Sequence, residues 1–243
     1  MMRKLLFTFL IGTISLFAQE KLVVEYEYTN EFDLSNLTEK EDIQMYKDAA
    51  VRKTEFQLIV DKNESVYKGI EKINNSQEGE RSSFSFVDLR DIYYKNISNN
   101  ETLKFNDYNG RKFIIKDTIS VLPWSLTRET SKILGYEVKK ATAIVKNKTY
   151  EAWYSTKLAF KSGPSEFGGL PGLILKLVIT IDSKKLPRKD IYQVISLKTN
   201  DKIKIEKPTK GEVVTKEELN KITDKMLQDM IKSANDKMDK KID

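Results

Sequence analysis

The run "LILKLVITI" at 173–181 sets Leu173, Leu175, Leu177, Ile179 and Ile181 at a strict period of two, with Lys176 and Thr180 between them. Successive side chains of an extended chain point to opposite faces, so this segment reads as a strand with one face in a core. A helix would scatter the same residues around its circumference. The alternation recurs. "KLVVEYEYTN" sets Val24, Tyr26 and Tyr28 against Val23, Glu25 and Glu27, "TEFQLIV" aligns Phe56, Leu58 and Val60, and "SSFSFVDL" aligns Phe84 and Phe86. "DIYYKNI", "IYQVISLK" and "DKIKIEK" add further short strands. Asn109-Gly110 separates two apolar-bearing runs and suits a tight hairpin, whose central residues need positive φ. Lys146-Asn147-Lys148 marks a second turn.

Two segments keep helical spacing. Thr38 with Glu41 forms a capping-box pattern ahead of Ile43, Tyr46 and Ala50, which predicts a helical insertion near 38–51. Thr215 with Glu218 repeats the pattern ahead of a stripe of Leu219, Ile222, Met226, Met230, Ala234 and Met238. That C-terminal helix is expected to dock on the sheet. A Met-bearing face also suits an adaptable partner surface. The expected fold is mainly β (α+β): an antiparallel meander forming a curved sheet, open half-barrel or sandwich, with a short helical insertion and a C-terminal helix. The β domain is expected over 19–206 and the helical segment over 207–243.

The chain has no Cys and no His. Stability must come from packing rather than disulfides. A Ser-His-Asp triad, a cysteine nucleophile and a His- or Cys-built zinc site are excluded, which leaves carboxylates, Tyr, Lys and Ser/Thr as the available chemistry. No cofactor or metal site is expected, and no EF-hand string occurs. At the N-terminus, Arg3 and Lys4 precede an apolar stretch from Leu5 to Phe17, and Ala18 precedes Gln19. This is the layout of a secretory signal peptide over 1–18, too short for a membrane span of roughly 20 residues. The protein is therefore expected to be exported, periplasmic or extracellular, and not an integral membrane protein. Arg3 and Lys4 supply two of the net +6 charges, and no basic cluster interleaves with aromatics, so no nucleic-acid partner is expected.

The densest glycine and proline corner is "GPSEFGGLPGLILKL" from Gly163 to Leu177. Leu170-Pro171-Gly172-Leu173 fits a type II turn, with Pro171 presetting φ and Gly172 supplying positive φ. Gly168-Gly169 allow a further bend or a close chain approach. A strand follows where a P-loop would need a helix, and no Gly-Lys-Ser/Thr is present. The corner therefore reads first as a turn that launches a core strand.

The same residues carry a family resemblance. "GGLPGLILKL", with "PWSLTRETSKILGYEVKKATA", "YEAWYST" and "SGPSEFGGLPGLIL", resembles the GLPGLI family of exported bacterial proteins across most of 23–181. Val138 stands where members often carry Cys, and Ser165 where an aromatic often follows Gly-Pro. The resemblance implies an exported β-rich protein with no assigned activity. A ligand site is expected beside the corner, lined by Trp124, Trp153, Tyr154, Glu166, Gly168, Gly169, Pro171 and Gly172, with no catalytic residue assigned. The function expected on this basis is a non-catalytic periplasmic or envelope-associated carrier of an apolar small molecule or peptide. The alternatives are an envelope interaction protein that docks a partner through its C-terminal helix or an edge strand, and, ranked lowest, a carboxylate-dependent hydrolase.

Overall fold

The computed structural model describes residues 21–71, 86–108 and 110–239, with side chains described through residue 233. Residues 1–18 and Phe84 lie outside the described residues, as does Asn109. The described chain forms one 12-stranded sheet. β1 (Leu22–Phe32), β2 (Thr54–Val60), β3 (Glu64–Gly69), β4 (Ile92–Asn96), β5 (Glu101–Tyr108) and β6 (Arg111–Asp117) run as one antiparallel meander. β7 (Ser125–Ile133), β8 (Tyr136–Val145), β9 (Lys148–Ser155), β10 (Leu173–Ile181) and β11 (Arg188–Thr199) form a second. The meanders join where β1 pairs antiparallel with β11, and short β12 (Glu212–Val214) lies parallel on the far edge against β6. The expected mainly β architecture with its two helices is what forms. α1 (Lys40–Ala50) is the insertion between β1 and β2, and α2 (Lys216–Asp239) follows β12.

Chain geometry forces this sheet to curl. β6 and β7 stand ten inter-strand steps apart in the sheet order, which is ~48 Å if the sheet is flat. Eight peptide steps connect Asp117 to Ser125, a reach of at most ~29 Å. The two wings must therefore bend toward each other, and their contacts show that they do. Tyr26 Oη donates to Ile174 O across 2.6 Å, and Ser162 Oγ donates to Ser65 Oγ at 3.2 Å. The concave face carries the main core, with Val24, Tyr26, Leu58, Leu173 and Leu177 essentially sealed from solvent.

The hairpins follow their local chemistry. Tyr108 pairs with Arg111 and Gly110 takes φ +83°. Val145 pairs with Lys148 around Lys146, which adopts φ +56°. A third tight turn at Leu134-Gly135 has φ of 47° and 81°, the pattern of paired positive φ that suits a two-residue hairpin. At α2 the expected box is present: Thr215 N–H donates to the Glu218 carboxylate at 2.8 Å, and Glu218 N–H donates to Thr215 Oγ1 at 3.2 Å. At α1 it is not. Glu39 occupies the cap position with no side-chain cap bond, and Thr38 Oγ1 instead donates to the Glu39 carboxylate. The hydroxyl is turned to a carboxylate one residue away rather than toward a helix N–H from which it could accept. The "SSFSFVDL" strand also fails to extend to Phe86. That residue lies in a bend, its ring beneath the Arg188 guanidinium at 4.0 Å.

The Gly-Pro corner is a plug rather than a surface turn. Residues 156–172 fold into the concavity, where Leu170 and Pro164 are sealed. Gly172 does not supply positive φ. It is required because a Cβ there would meet Ser155 O at 2.1 Å. The backbone must pass that close because Leu173 N–H donates to Leu158 O at 2.9 Å as the plug re-enters the sheet. Positive φ falls at Ser165 (51°) and Gly169 (82°) instead. The type II turn expected at 170–173 is thus replaced by a steric requirement for glycine.

Candidate functional site

Where the plug meets the opposite wing, the concavity stays open as a cleft of about 500 Å³. β4 and β5 supply one wall. Tyr93 and Lys95 share the inward face of β4, as the pleat dictates, and Lys104 stands opposite Tyr93. The other wall is Tyr150 from β9 with Glu166, Phe167 and Gly168 of the plug. Thr118, Ser120 and Leu122 of the crossover close one end, and Lys216, Leu219 and Asn220 of α2 stand at the rim.

The walls are tied together. Lys95 is buried and donates from Nζ to Phe167 O at 2.7 Å. Burial lowers its pKa to about 8, with the Glu166 carboxylate acting in the opposite direction. The Tyr150 and Phe167 rings sit 5.7 Å apart in a tilted pair. Tyr93 stands edge-on to Tyr67 at 6.3 Å, and Lys104 lies over the Tyr93 ring at 5.0 Å while bonding Asp91 at 2.8 Å. Burial and the negative charge of Glu166 raise the phenol pKa of both Tyr93 and Tyr150. Both therefore act as neutral hydroxyls at physiological pH. Ser165 Oγ donates to the Glu166 carboxylate, which fixes the acid at the cleft mouth. Behind this wall Tyr67 keeps a buried hydroxyl with no hydrogen-bond partner among the described residues. The cleft thus offers aromatic rings, the carboxylates of Glu166 and Asp117, ammonium groups and neutral hydroxyls. That set suits a polyhydroxylated ligand with apolar ring faces.

The residues expected from sequence to form one site are dispersed. Glu166 and Gly168 line the cleft. Trp124 braces it from behind, its Nε1 donating to Gly168 O at 3.0 Å. Gly169 presses on Val121, while Pro171 and Gly172 belong to the base of the plug. Tyr154 is a core residue. Trp153, one position earlier, faces the convex side, where Nε1 donates to Glu151 at 2.9 Å and Lys140 bridges Glu151 and Glu129. Sequence reasoning missed Tyr93, Lys95, Tyr150 and Phe167. The available signal was Lys95 sharing a strand face with Tyr93, an inward position that an apolar core would not give to lysine. Among the described residues no group of acidic side chains could hold a metal ion.

Comparison with known proteins bears on this geometry. Residues 89–186 match the family model described as N-glycanase peptide, N-terminal domain. The matched span runs from the approach to β4 through the cleft walls and β10 into the turn before β11. Two solved structures of PNGF-II share the fold. One, in a C2 crystal form, has a TM-score of 0.54 and 23% identity over 81% of this chain and 31% of that one. The other, in a P21 form, has a TM-score of 0.52 and 24% identity over 81% of this chain and 32% of that one. The chain therefore spans about a third of their length. No curated protein matches.

The match overturns the GLPGLI resemblance, and the carrier and envelope-docking roles built on it fall as well. The string Gly169–Ile174 has a packing explanation. Gly169 must bend against Val121, Gly172 must pass Ser155 O, and Leu170, Leu173 and Ile174 fill the core. Packing of this kind constrains residue size and says nothing of ligand or activity.

Proposed function

We propose that this chain recognises the carbohydrate of glycoproteins in the inter-wing cleft. The supporting observation is the cleft lining itself: the half-buried rings of Tyr93 and Phe167 offer apolar surface, with Tyr150 packed behind Phe167, while Glu166, Asn220 and Thr102 offer hydrogen-bonding groups to hydroxyls. The name of the matching family, an N-glycanase N-terminal domain, agrees with that chemistry. A sugar ring stacks its C–H face on an aromatic and presents its hydroxyls to the polar groups around it. The test is calorimetric titration with an oligosaccharide released from an N-glycosylated protein. Glu166→Gln keeps the shape but removes the charged acceptor, so it is expected to weaken binding about tenfold. Unchanged affinity in Glu166→Gln and Phe167→Ala would refute this site.

The protein is also proposed to be exported, on the N-terminal layout of Arg3, Lys4 and the apolar stretch before Ala18. N-terminal sequencing of the mature protein should begin at Gln19, and a chain that begins at Met1 would refute export by cleavage. Among the described residues no helix is long and apolar enough to cross a membrane.

A further inference from the structure

A second groove lies on the opposite, convex face. After β11 the chain crosses this face as an extended strap, 202–210, before joining the edge as β12. Between strap and sheet is a slot of about 620 Å³. Its floor is aliphatic with one ring: Ile59, Val66, Ile92 and Phe105 from the sheet, with Ile203 and Pro208 from the strap. Its rim is cationic. Lys68, Lys112, Lys202, Lys204 and Lys210 border it, and Glu206 is the acid among its lining residues. None of those five lysines takes part in an ion pair among the described residues, whereas Lys207 is bonded to Glu101 at 2.8 Å.

Both ends of the strap are anchored. Lys21 Nζ donates to Ile203 O at 2.9 Å, and Arg111 pairs with Glu212 at 2.7 Å. The strap also seals a small core of Tyr94, Leu103 and Ile114, with Phe105 and Ile205 against it. The slot is therefore held open between two fixed walls.

We infer that this slot binds a single-chain anionic amphiphile, with its hydrocarbon tail between strap and sheet and its anionic head among the lysines. Charge complementarity selects the anionic head. The aliphatic floor selects the tail, since a carbohydrate would want aromatic platforms and acceptor groups of the kind the concave cleft provides. The ligand is a free molecule rather than a bilayer surface. Ile92 and Phe105 of the sheet are half-buried beside the strap, recessed from a flat membrane but open to a threaded chain, with Ile59 and Val66 sealed behind them.

The test is calorimetry on the full mature chain with dodecyl phosphate below its micelle concentration. Dodecyl maltoside, with an uncharged head, and inorganic phosphate, with no tail, are the controls. Dodecyl phosphate is expected to bind saturably at one molecule per chain, with neither control binding. Lys68 and Lys204 are exposed, so the double variant Lys68→Glu/Lys204→Glu should fold and melt normally while losing at least about tenfold in affinity. Equal binding of dodecyl maltoside or of phosphate would overturn the inference, as would an unaffected double variant. Co-sedimentation with phosphatidylglycerol vesicles without binding of monomeric dodecyl phosphate would overturn it in favour of a membrane surface.

Discussion

β10 and β4 lie in the same sheet and face the same concavity, yet they use the pleat for opposite purposes. The inward positions of β10 are aliphatic and sealed, and the plug folds back onto them. The inward positions of β4 are Tyr93 and Lys95, and the plug stops short of them, leaving the cleft. β4 instead sends Ile92 and Tyr94 outward to the strap, so this wing buries its apolar residues on the convex side. One wing is a core with a solvated outer face, and the other is a binding face with a covered back. Curvature alone does not make a site. A site appears where the inward residues of one wing are polar and the filling segment runs out.

The sharpest way to break this contrast is at the plug. Gly172→Ala places a methyl 2.1 Å from Ser155 O, a backbone atom that cannot move without disturbing β9. The expected cost is about 3 kcal/mol or more, read by calorimetry as a fall in Tm of roughly 6–12 °C. Gly110→Ala is the control. Its φ is +83° but a Cβ there meets nothing within 4 Å, so only backbone strain of about 1 kcal/mol is expected. Equal costs at the two positions would show that the plug is loosely packed and the two wings are alike.

A smaller effect sharpens the polar wing. Lys95 has a folded pKa of about 8 against an unfolded value near 10.4, so between these values the unfolded chain binds more protons than the folded one. Stability should therefore rise with pH from about 8 to about 10.4, and the full cost of burying the ammonium should be felt below pH 8. Lys95→Met should flatten that rise, measured by urea denaturation across the window. A variant that retains the same slope would place the titration elsewhere. The smallest effect is expected on the convex face of the other wing. Lys140, half-buried over the Trp153 ring, bridges the more exposed Glu129 and Glu151, and Lys140→Ala should move the melting midpoint only slightly. A clear loss would mean that this face is built, as the strap face is.

Much of the fold was legible in short stretches. The period-two run at 173–181, the Gly110 hairpin and the Thr215/Glu218 cap each depend on residues a few positions apart, where local physics decides. The candidate site was legible only in part. Glu166 and Gly168 were within reach because they sit in an unusual segment. Lys95 meets Phe167 across 72 residues and Ser65 meets Ser162 across 97, joined only by the register of the sheet. Trp153 and Tyr154 show the same limit at single-residue scale. Adjacent on one strand, they point to opposite faces, and their types do not say which face carries the cleft. Gly172 was recognised as special for the wrong reason, because a close backbone approach leaves no local trace.

Carbohydrate binding in the cleft is tested by an amide chemical-shift titration of the labelled protein with an oligosaccharide released from an N-glycosylated protein. Saturable shifts are expected to cluster at Tyr93, Lys95, Tyr150 and Glu166–Gly168, with the Trp153 face and the strap silent. Shifts clustered on the convex face, or none at saturating sugar, would contradict binding in the cleft.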